Sequence, residues 1–329
     1  MSFSMPKQCG KSRFYRKNQA TVNYFARREW ERGKMDFNVF IENIVDLLQK
    51  KMGKTYEIRV TTVTKNNDVR ITGVVMMARG DTISPTIYLE GFYEEYQEGT
   101  SMEVLVDKII SIYEDQMRDI NLDMEFFRDF EKVRDRIFYK LISFDKNRRL
   151  LEDVPYFRWH DLAIVFYYAM EEELVGKASI TIHCHHMTMW GQSVDSLYRT
   201  AQKNMKEGMP ELLLSMSELF SQMTGIAIPK EDEIPMYVLT NQEKLYGAAA
   251  LLYSDRLKEL ADKLGCDLLI LPSSVHEVLL VPDDHRNGYD FYIKMVDEVN
   301  RTQVALEEVL SYTLYRYNRK KAEIEEIFS

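Results

Sequence analysis

The chain has 329 residues, of which 45% are apolar, 29% charged and 12% aromatic, and its formal net charge is −9. With only 14 Gly and 8 Pro, this composition excludes a largely disordered or collagen-like protein and indicates a folded chain with a sizeable core. No apolar run approaches the roughly 20 residues of a membrane span, no secretory signal opens the chain, and three scattered cysteines do not make a disulfide scaffold, so we predict a soluble cytoplasmic protein without a membrane partner.

The first 34 residues differ from the rest of the chain in charge. Residues 1–34 carry nine Lys/Arg and two Glu, a net charge of +7, which leaves −16 for the remainder. Aromatic residues between the basic ones could stack on bases while Lys and Arg neutralise phosphates, so this basic N-terminal arm is the only segment that suits nucleic acid. A solvated tail, or an upstream start before Met35, is the favoured alternative.

The first predicted half covers residues 35–145. Asp36 can cap a helix whose apolar positions recur every three or four residues, and Gly53 ends it. Polar residues 65–68 separate two strand-like runs and suit a hairpin loop. In chain order, the predicted elements are a helix over 37–52, strands over 56–64, 69–78 and 84–89, and helices over 91–98, from Thr100, and over 124–142.

The second predicted half covers residues 146–329. Its predicted elements are strands over 162–168 and 178–185, helices over 194–205 and 210–223, strands over 236–239 and 245–253, a helix that Gly265 ends, strands over 267–271 and 275–281, a helix over 289–300, and a strand over 313–317. Apolar residues on both faces of Val275–Val281 predict a central strand that is covered on each side. We therefore expect an α/β or α+β protein, with mixed sheets flanked by helices in two packed halves.

Two histidines alternate with apolar residues near the end of the predicted strand over 178–185. Period-two geometry places His183 and His185 on its polar face and Cys184 in the core. Two imidazoles on one face could bind zinc or iron if a third ligand came from elsewhere, such as His160, Asp161, His186 or Asp195. A hydrogen-bonded polar face without a metal is the favoured alternative, since histidine pairs of this kind are unspecific.

A second candidate lies in the segment Pro272-Ser273-Ser274-Val275-His276-Glu277. Ser274 and His276 are close in sequence, but no Gly-x-Ser-x-Gly elbow surrounds them, so a serine nucleophile is disfavoured. The alternative is a serine-bearing turn that enters a buried strand. Polar groups at the start of an apolar strand need partners, and we therefore predict that Ser274, His276 and Glu277 contact a ligand.

Several long blocks of this sequence resemble one family. They are KNNDVRITGVV, ISPTIYLEGFYEEYQEG, FRDFEKVRDRIFYKLI, YVLTNQEKLYGAAALLY, LPSSVHEVLLVP and VNRTQVALEEVLSYTLYRY. Together they are similar to an uncharacterised bacterial family, domain of unknown function 5688, over about residues 35–317. The resemblance implies a bacterial, cytoplasmic protein, and it brings neither an activity nor catalytic residues.

The sequence contains no Gly-x-Gly-x-x-Gly, no phosphate loop that ends in Gly-Lys-Ser/Thr and no His-Glu-x-x-His, so it predicts no cofactor. Two functions remain open, and whether the chain is an enzyme stays undecided. The first is a non-enzymatic binding or regulatory protein with an unknown partner. The second is a hydrolase or metal-dependent enzyme that uses the histidine-bearing strands; contact of residues 1–34 with nucleic acid is a minor alternative.

Overall fold

The computed structural model describes residues 35–80, 84–119, 124–172, 176–226, 235–253 and 255–327. The described residues form an α+β fold with three antiparallel sheets, which decides between the two predicted fold classes. They divide into two compact units: a first unit of residues 35–62 and 71–118, and a second unit of residues 63–70 and 119–327. The basic arm, residues 1–34, and its predicted contact with nucleic acid lie outside the described residues. Among those residues, no helix combines the length and apolar character that a membrane crossing requires.

The first unit is built as its sequence predicts, from a capped helix, a hairpin and two further helices. Asp36 accepts hydrogen bonds from the backbone N–H groups of Asn38 and Val39, which begins the first helix, and Gly53 ends it. The sheet order is β1-β2-β3. The elements are α1 (Phe37–Met52), β1 (Tyr56–Thr64), β2 (Arg70–Ala78), β3 (Thr86–Tyr88), α2 (Glu90–Gln97) and α3 (Met102–Asp119).

The second unit begins with a four-stranded sheet around one long strand, β6. Strand β6 pairs with β4 along one edge and with β5 and β7 along the other. The elements are 3₁₀ turns at Met124–Arg128 and Arg134–Arg136, α4 (Phe130–Val133), β4 (Ile137–Ser143), a 3₁₀ turn at Asp145–Asn147, α5 (Arg148–Leu151), β5 (Tyr156–Trp159), β6 (Leu162–Glu172) and β7 (Gly176–Thr181).

A six-stranded sheet follows, in the order β13-β12-β10-β11-β9-β8. Both faces of β10 are buried. Strand β11 is central, as the sequence predicts, but it begins at Val278 rather than at Val275. The elements are α6 (Cys184–Trp190), α7 (Val194–Gly208), β8 (Glu211–Ser215), α8 (Met216–Thr224), β9 (Tyr237–Asn241), a 3₁₀ helix (Gly247–Leu252), α9 (Arg256–Leu264), β10 (Leu268–Leu271), β11 (Val278–Pro282), α10 (Tyr289–Thr302), β12 (Leu314–Asn318) and β13 (Glu323–Ile327).

Four sequence predictions of local structure are wrong. Residues 137–143 form strand β4 rather than the end of a helix over 124–142, because a strand that is buried on both faces is apolar throughout and also contains helical spacings. The predicted strand over 178–185 ends at Thr181. Residues 245–253, predicted as a strand, contain a 3₁₀ helix instead. The first part of the predicted helix over 210–223 is strand β8.

A half-buried carboxylate, that of Asp161, joins the two sheets of the second unit. Asp161, in the turn between β5 and β6, accepts hydrogen bonds from the hydroxyls of Ser311 at 2.6 Å and Thr313 at 3.0 Å. The hydroxyl of Tyr315 on β12 donates a third, short hydrogen bond to the same carboxylate. Three donors therefore satisfy this acid, and Tyr315 itself is fully buried.

Candidate functional site

A cavity of about 420 Å³ opens in the second unit. Its wall includes residues from the tip of the β1–β2 hairpin, from β4 and β7, from just before α6 and just before the 3₁₀ helix Gly247–Leu252, and from the segment before β11. The lining residues are Thr64, Lys65, Asn66, Lys140, Ile142, Leu150, Ser179, Thr181, His183, Tyr246, Val275, His276, Glu307 and Glu308. Most of them are polar or charged, which favours a polar ligand over a lipid.

Asparagine side chains fix the hairpin tip that forms one part of this wall. The side-chain amide of Asn67 donates to the carbonyls of Leu306 at 2.8 Å and Val309 at 2.7 Å, and that of Asn66 donates to the carbonyl of Glu307 at 2.7 Å. Asn67 has φ = 62°, a left-handed conformation that asparagine tolerates better than most residues. Three hydrogen bonds therefore join the tip to the segment around Glu307 at one border of the cavity.

A lysine, a tyrosine and a serine meet inside the cavity. Lys140 is the one residue of the otherwise buried strand β4 that is not buried, and its Nζ lies 4.2 Å from the ring centre of Tyr246. The Oη of Tyr246 lies 3.4 Å from the Oγ of Ser179 on β7. Burial alone raises the pKa of the Tyr246 hydroxyl, but the charge of Lys140, hydrogen bonds with Ser179 and Lys140 and the charge of Lys65 together place that pKa below its ordinary value.

Tyr246 has a strained backbone, which a hydrogen bond to His276 and the close packing of Gly247 keep in place. Tyr246 has φ = 54°, which is unusual for a residue with a side chain, and its N–H donates to Nδ1 of His276 at 3.2 Å. A Cβ on the next residue, Gly247, would come within 2.5 Å of the carbonyl oxygen of His276 and would also meet Oγ1 of Thr240. Only glycine therefore lets the 3₁₀ helix close against β9 and the His276 segment.

The predicted contacts Ser274, His276 and Glu277 lie in a turn beside the cavity, and only His276 lines it. The ring of His276 stacks on that of Tyr246, with centroids 5.6 Å apart, and its Nε2 lies 3.6 Å from Oε1 of Glu308. Ser274 is buried, and its Oγ accepts the backbone N–H of His276 at 3.0 Å. The role of these three residues as ligand contacts stays a prediction.

Burial and the neighbouring carboxylate of Glu308 raise the pKa of Glu277, although the charge of His276 and a hydrogen bond from Ser274 oppose the shift. A carboxyl group whose pKa is raised gives up its proton less readily, and such groups are common at functional sites. Glu277 is half-buried and adjacent to His276, so the turn places an acid and an imidazole beside the cavity.

His183 and His185 come together, but not on a strand. His183 precedes α6 in an extended conformation, and His185 lies in its first turn; their rings stack with centroids 5.6 Å apart. Asp153 completes a group whose candidate ligand atoms all lie within 4.8 Å of one another, and we call these three residues the histidine–aspartate cluster. Cys184 is exposed rather than in the core, because the strand ends before it.

A third histidine, His186, forms a hydrogen bond with the backbone of this cluster. Nδ1 of His186 accepts the backbone N–H of His183 at 3.0 Å, which caps α6. Burial, together with the charges of His185 and His183, lowers the pKa of His186 to about 4. His186 is therefore a neutral structural acceptor at neutral pH.

Sequence reasoning missed Lys140, Tyr246 and Ser179. One signal was present: Lys140 is the only charged residue in the run Ile137–Ile142, where a lone lysine needs a reason to interrupt an apolar strand. No local signal connects Tyr246 with Ser179, since 67 residues separate them and only the packing of the sheets joins them.

Comparison with protein families gives a match over most of the chain. The model of a family of unknown function, DUF5688, matches residues 37–319 of the chain. Neither the comparison with curated proteins nor the comparison with solved structures finds a match.

Proposed function

Because the chain belongs to DUF5688, a family of unknown function, we propose its function from the geometry of the cavity. The protein binds a small polar molecule whose anionic group, a carboxylate or a phosphate, lies against Lys140, Tyr246 and Ser179. The observation that carries this proposal is the position of the Lys140 ammonium group, 4.2 Å from the centre of the Tyr246 ring, inside an open cavity.

The chemistry of these three groups suits an anion. Lys140 supplies a positive charge on an otherwise apolar strand, and the hydroxyls of Ser179 and Tyr246 can each donate a hydrogen bond. Lys65 is a second cation in the same lining. An oxyanion is the ligand group that such donors bind most strongly.

The remaining residues that line the cavity indicate which groups the rest of the ligand carries. Glu307 and Glu308 balance the two lysines formally, and His276 and Asn66 add groups that exchange hydrogen bonds. A ligand that also carries a cationic or hydrogen-bond-donating group would satisfy them. A volume of about 420 Å³ corresponds to a metabolite-sized molecule.

The test measures binding of inorganic phosphate and succinate to the full chain by calorimetry and thermal melting, with glucose as a neutral control. Lys140→Met keeps the length of the side chain and removes its charge, and Lys258→Met, at an exposed lysine of α9, is the matched control. We expect at least one anion to bind, about tenfold or more weakening in Lys140→Met, which is about 1.4 kcal/mol, and no change in Lys258→Met.

Two results would contradict the proposal. The first is that neither anion raises the melting temperature or releases binding heat. The second is that Lys140→Met folds and binds both anions as tightly as the unaltered chain.

A hydrolase is the second candidate function, and the lowered pKa of Tyr246 beside His276 supports it. A tyrosine that ionises more readily than usual can exchange protons with a bound substrate, and the histidine-bearing segments of His183 and His276 both line the cavity. Release of p-nitrophenol from its phosphate and acetate esters tests this function. We expect Tyr246→Phe to remove the activity, and equal turnover by that variant would exclude it.

A bacterial, cytoplasmic setting is part of the proposal. The two cysteines among the described residues, Cys184 and Cys266, are free thiols, which supports a reducing compartment. Fractionation of cells that produce the full chain tests the location, and recovery from the culture medium would contradict it.

A further inference from the structure

We infer that Asp153, His183 and His185 bind one divalent transition-metal ion of the zinc class at the border of the cavity. This site goes beyond the proposed binding of a small anion and does not depend on it, since none of the three residues is part of the Lys140–Tyr246–Ser179 group. Three side chains carry the inference: two imidazoles and one carboxylate with their ligand atoms within 4.8 Å of one another.

The geometry needs only a small adjustment to hold an ion. Nδ1 of His183 lies 2.7 Å from Oδ2 of Asp153. In a tetrahedral zinc site with metal–ligand distances of about 2.0–2.2 Å, neighbouring donor atoms are roughly 3.3–3.6 Å apart. The side chains of His185 and Asp153 are exposed, so both can rotate toward such distances without disturbing the core.

Local backbone structure explains why two histidines two positions apart can converge. Residues two apart on a helix face different directions, but His183 has φ = −102° and ψ = 163° and lies outside the helix. Only His185 follows the helical geometry. The extended residue therefore turns its ring back beside the ring of His185, and the two stack.

The segments that carry the three ligands are tied together. The N–H of Cys184 donates to the carbonyl of Asp153 at 2.7 Å, so the backbones on both sides of the cluster share a hydrogen bond. Val154 beside Asp153 and Met187 in α6 are both buried and anchor the two segments in the core. Because the two backbones are already held together, an ion has to order only the side chains of the site when it binds.

The donor set selects the type of ion. Imidazole nitrogens suit zinc, copper, nickel and iron, whereas calcium and magnesium prefer sites made only of oxygen. The carboxylate of Asp153 supplies the negative charge that a cation needs beside the N-terminus of α6, where the helix dipole is positive. Three protein ligands leave a coordination position for water or for a ligand, and His183 also lines the cavity.

The experiment uses the full chain without a polyhistidine tag and the metal ion alone as the probe. Calorimetry with Zn²⁺ gives affinity and stoichiometry, and the visible spectrum with Co²⁺ reports the coordination geometry. We expect one equivalent of metal, and about tenfold or more weaker binding in each of His183→Ala, His185→Ala and Asp153→Asn.

His285→Asn is the matched control, because His285 is another exposed histidine that lies 3.1 Å from a single carboxylate, that of Asp283. It should bind metal as the unaltered chain does. Melting without metal shows that each variant folds, and His185→Ala is decisive since its side chain is exposed. Equal affinity in folded His185→Ala and the control, or binding below one equivalent, would overturn the site; since no anion is present, neither result bears on the proposed anion binding.

Discussion

Two tyrosines of the second unit have hydroxyl pKa values that are shifted in opposite directions. One lies beside a carboxylate and the other beside an ammonium group. Tyr315 donates to the carboxylate of Asp161, and burial, the charge of Asp161 and their hydrogen bond all raise the pKa of its hydroxyl. Tyr246 lies beside the ammonium group of Lys140; burial raises the pKa of its hydroxyl, but the charge of Lys140, the hydrogen bonds with Ser179 and Lys140 and the charge of Lys65 together lower it below the ordinary value. Burial disfavours the phenolate in both places, so the opposite directions come from the neighbouring charges and hydrogen bonds.

The difference separates a structural tyrosine from one that is available to a ligand. Three hydroxyls, those of Ser311, Thr313 and Tyr315, donate to the carboxylate of Asp161, and Tyr315 is fully buried. Tyr246 instead lines a cavity and has a strained backbone. Backbone strain beside a cavity is typical of functional sites, whereas saturated hydrogen-bond networks stabilise the fold.

We expect the largest effect, a loss of stability, when the carboxylate of Asp161 is removed. Asp161→Ala leaves three hydroxyl donors without their acceptor between the two sheets, and we expect a loss of about 3–5 kcal/mol in the free energy of unfolding. Urea melts measure it. Asp297→Ala is the control, because its carboxylate pairs with Arg301 on the surface of α10 and should change stability by less than about 1 kcal/mol. Similar losses in both variants would show that the Asp161 group has no special structural role.

The second prediction concerns Gly247, whose close packing keeps Tyr246 in place. Gly247→Ala places a Cβ against the carbonyl of His276 and the hydroxyl of Thr240, and we expect a loss of about 2–3 kcal/mol together with weaker anion binding. Gly91→Ala in α2 meets nothing within 4 Å and should stabilise the chain by about 0.5–1 kcal/mol. If Gly247→Ala were neutral in the same melts, the close approach at this turn would not be required.

Local signals in the sequence were sufficient for much of the fold. The helix that Asp36 caps, the hairpin around residues 65–68 and the buried strand over Leu162–Tyr168 are confirmed, because each depends on a cap, a turn or a continuous apolar run. Strand β4 was not predictable in this way. Its apolar residues fit a helix equally well, and its pairing with β6 over seven positions decides the outcome.

The site illustrates the same limit. His183 and His185 were found as a pair, but on a predicted strand face, whereas the end of β7 and the start of α6 bring them together with Asp153. Asp153 was not predicted as a partner, since it is 30 residues away. Residues that converge through sheet packing leave no spacing in the sequence, so the third ligand and the pair of Lys140 with Tyr246 required the structure.

The smallest expected effect is on the ionisation of Tyr246, and it tests the comparison of the two tyrosines most directly. Spectrophotometric titration of tyrosinate should show one tyrosine that ionises below the ordinary value of about 10, and Tyr246→Phe should remove that equivalent. In Lys140→Met the burial of Tyr246 remains while the cation is gone, so the same equivalent should ionise later; Lys258→Met should leave it unchanged. Tyr315 should ionise above the ordinary value in all of these variants.

The sign of the linked stability follows from the lowered pKa. The phenolate of Tyr246 is favoured more in the folded than in the unfolded chain, so its contribution is fully present above the unfolded value of about 10 and is lost as the pH falls through the folded pKa. The stability of the unaltered chain relative to Tyr246→Phe should therefore rise between pH 7 and pH 10, with a slope of at most about 1.4 kcal/mol per pH unit. A flat or falling difference, or an early-ionising tyrosine that persists in Lys140→Met, would mean that Lys140 does not set the ionisation of Tyr246.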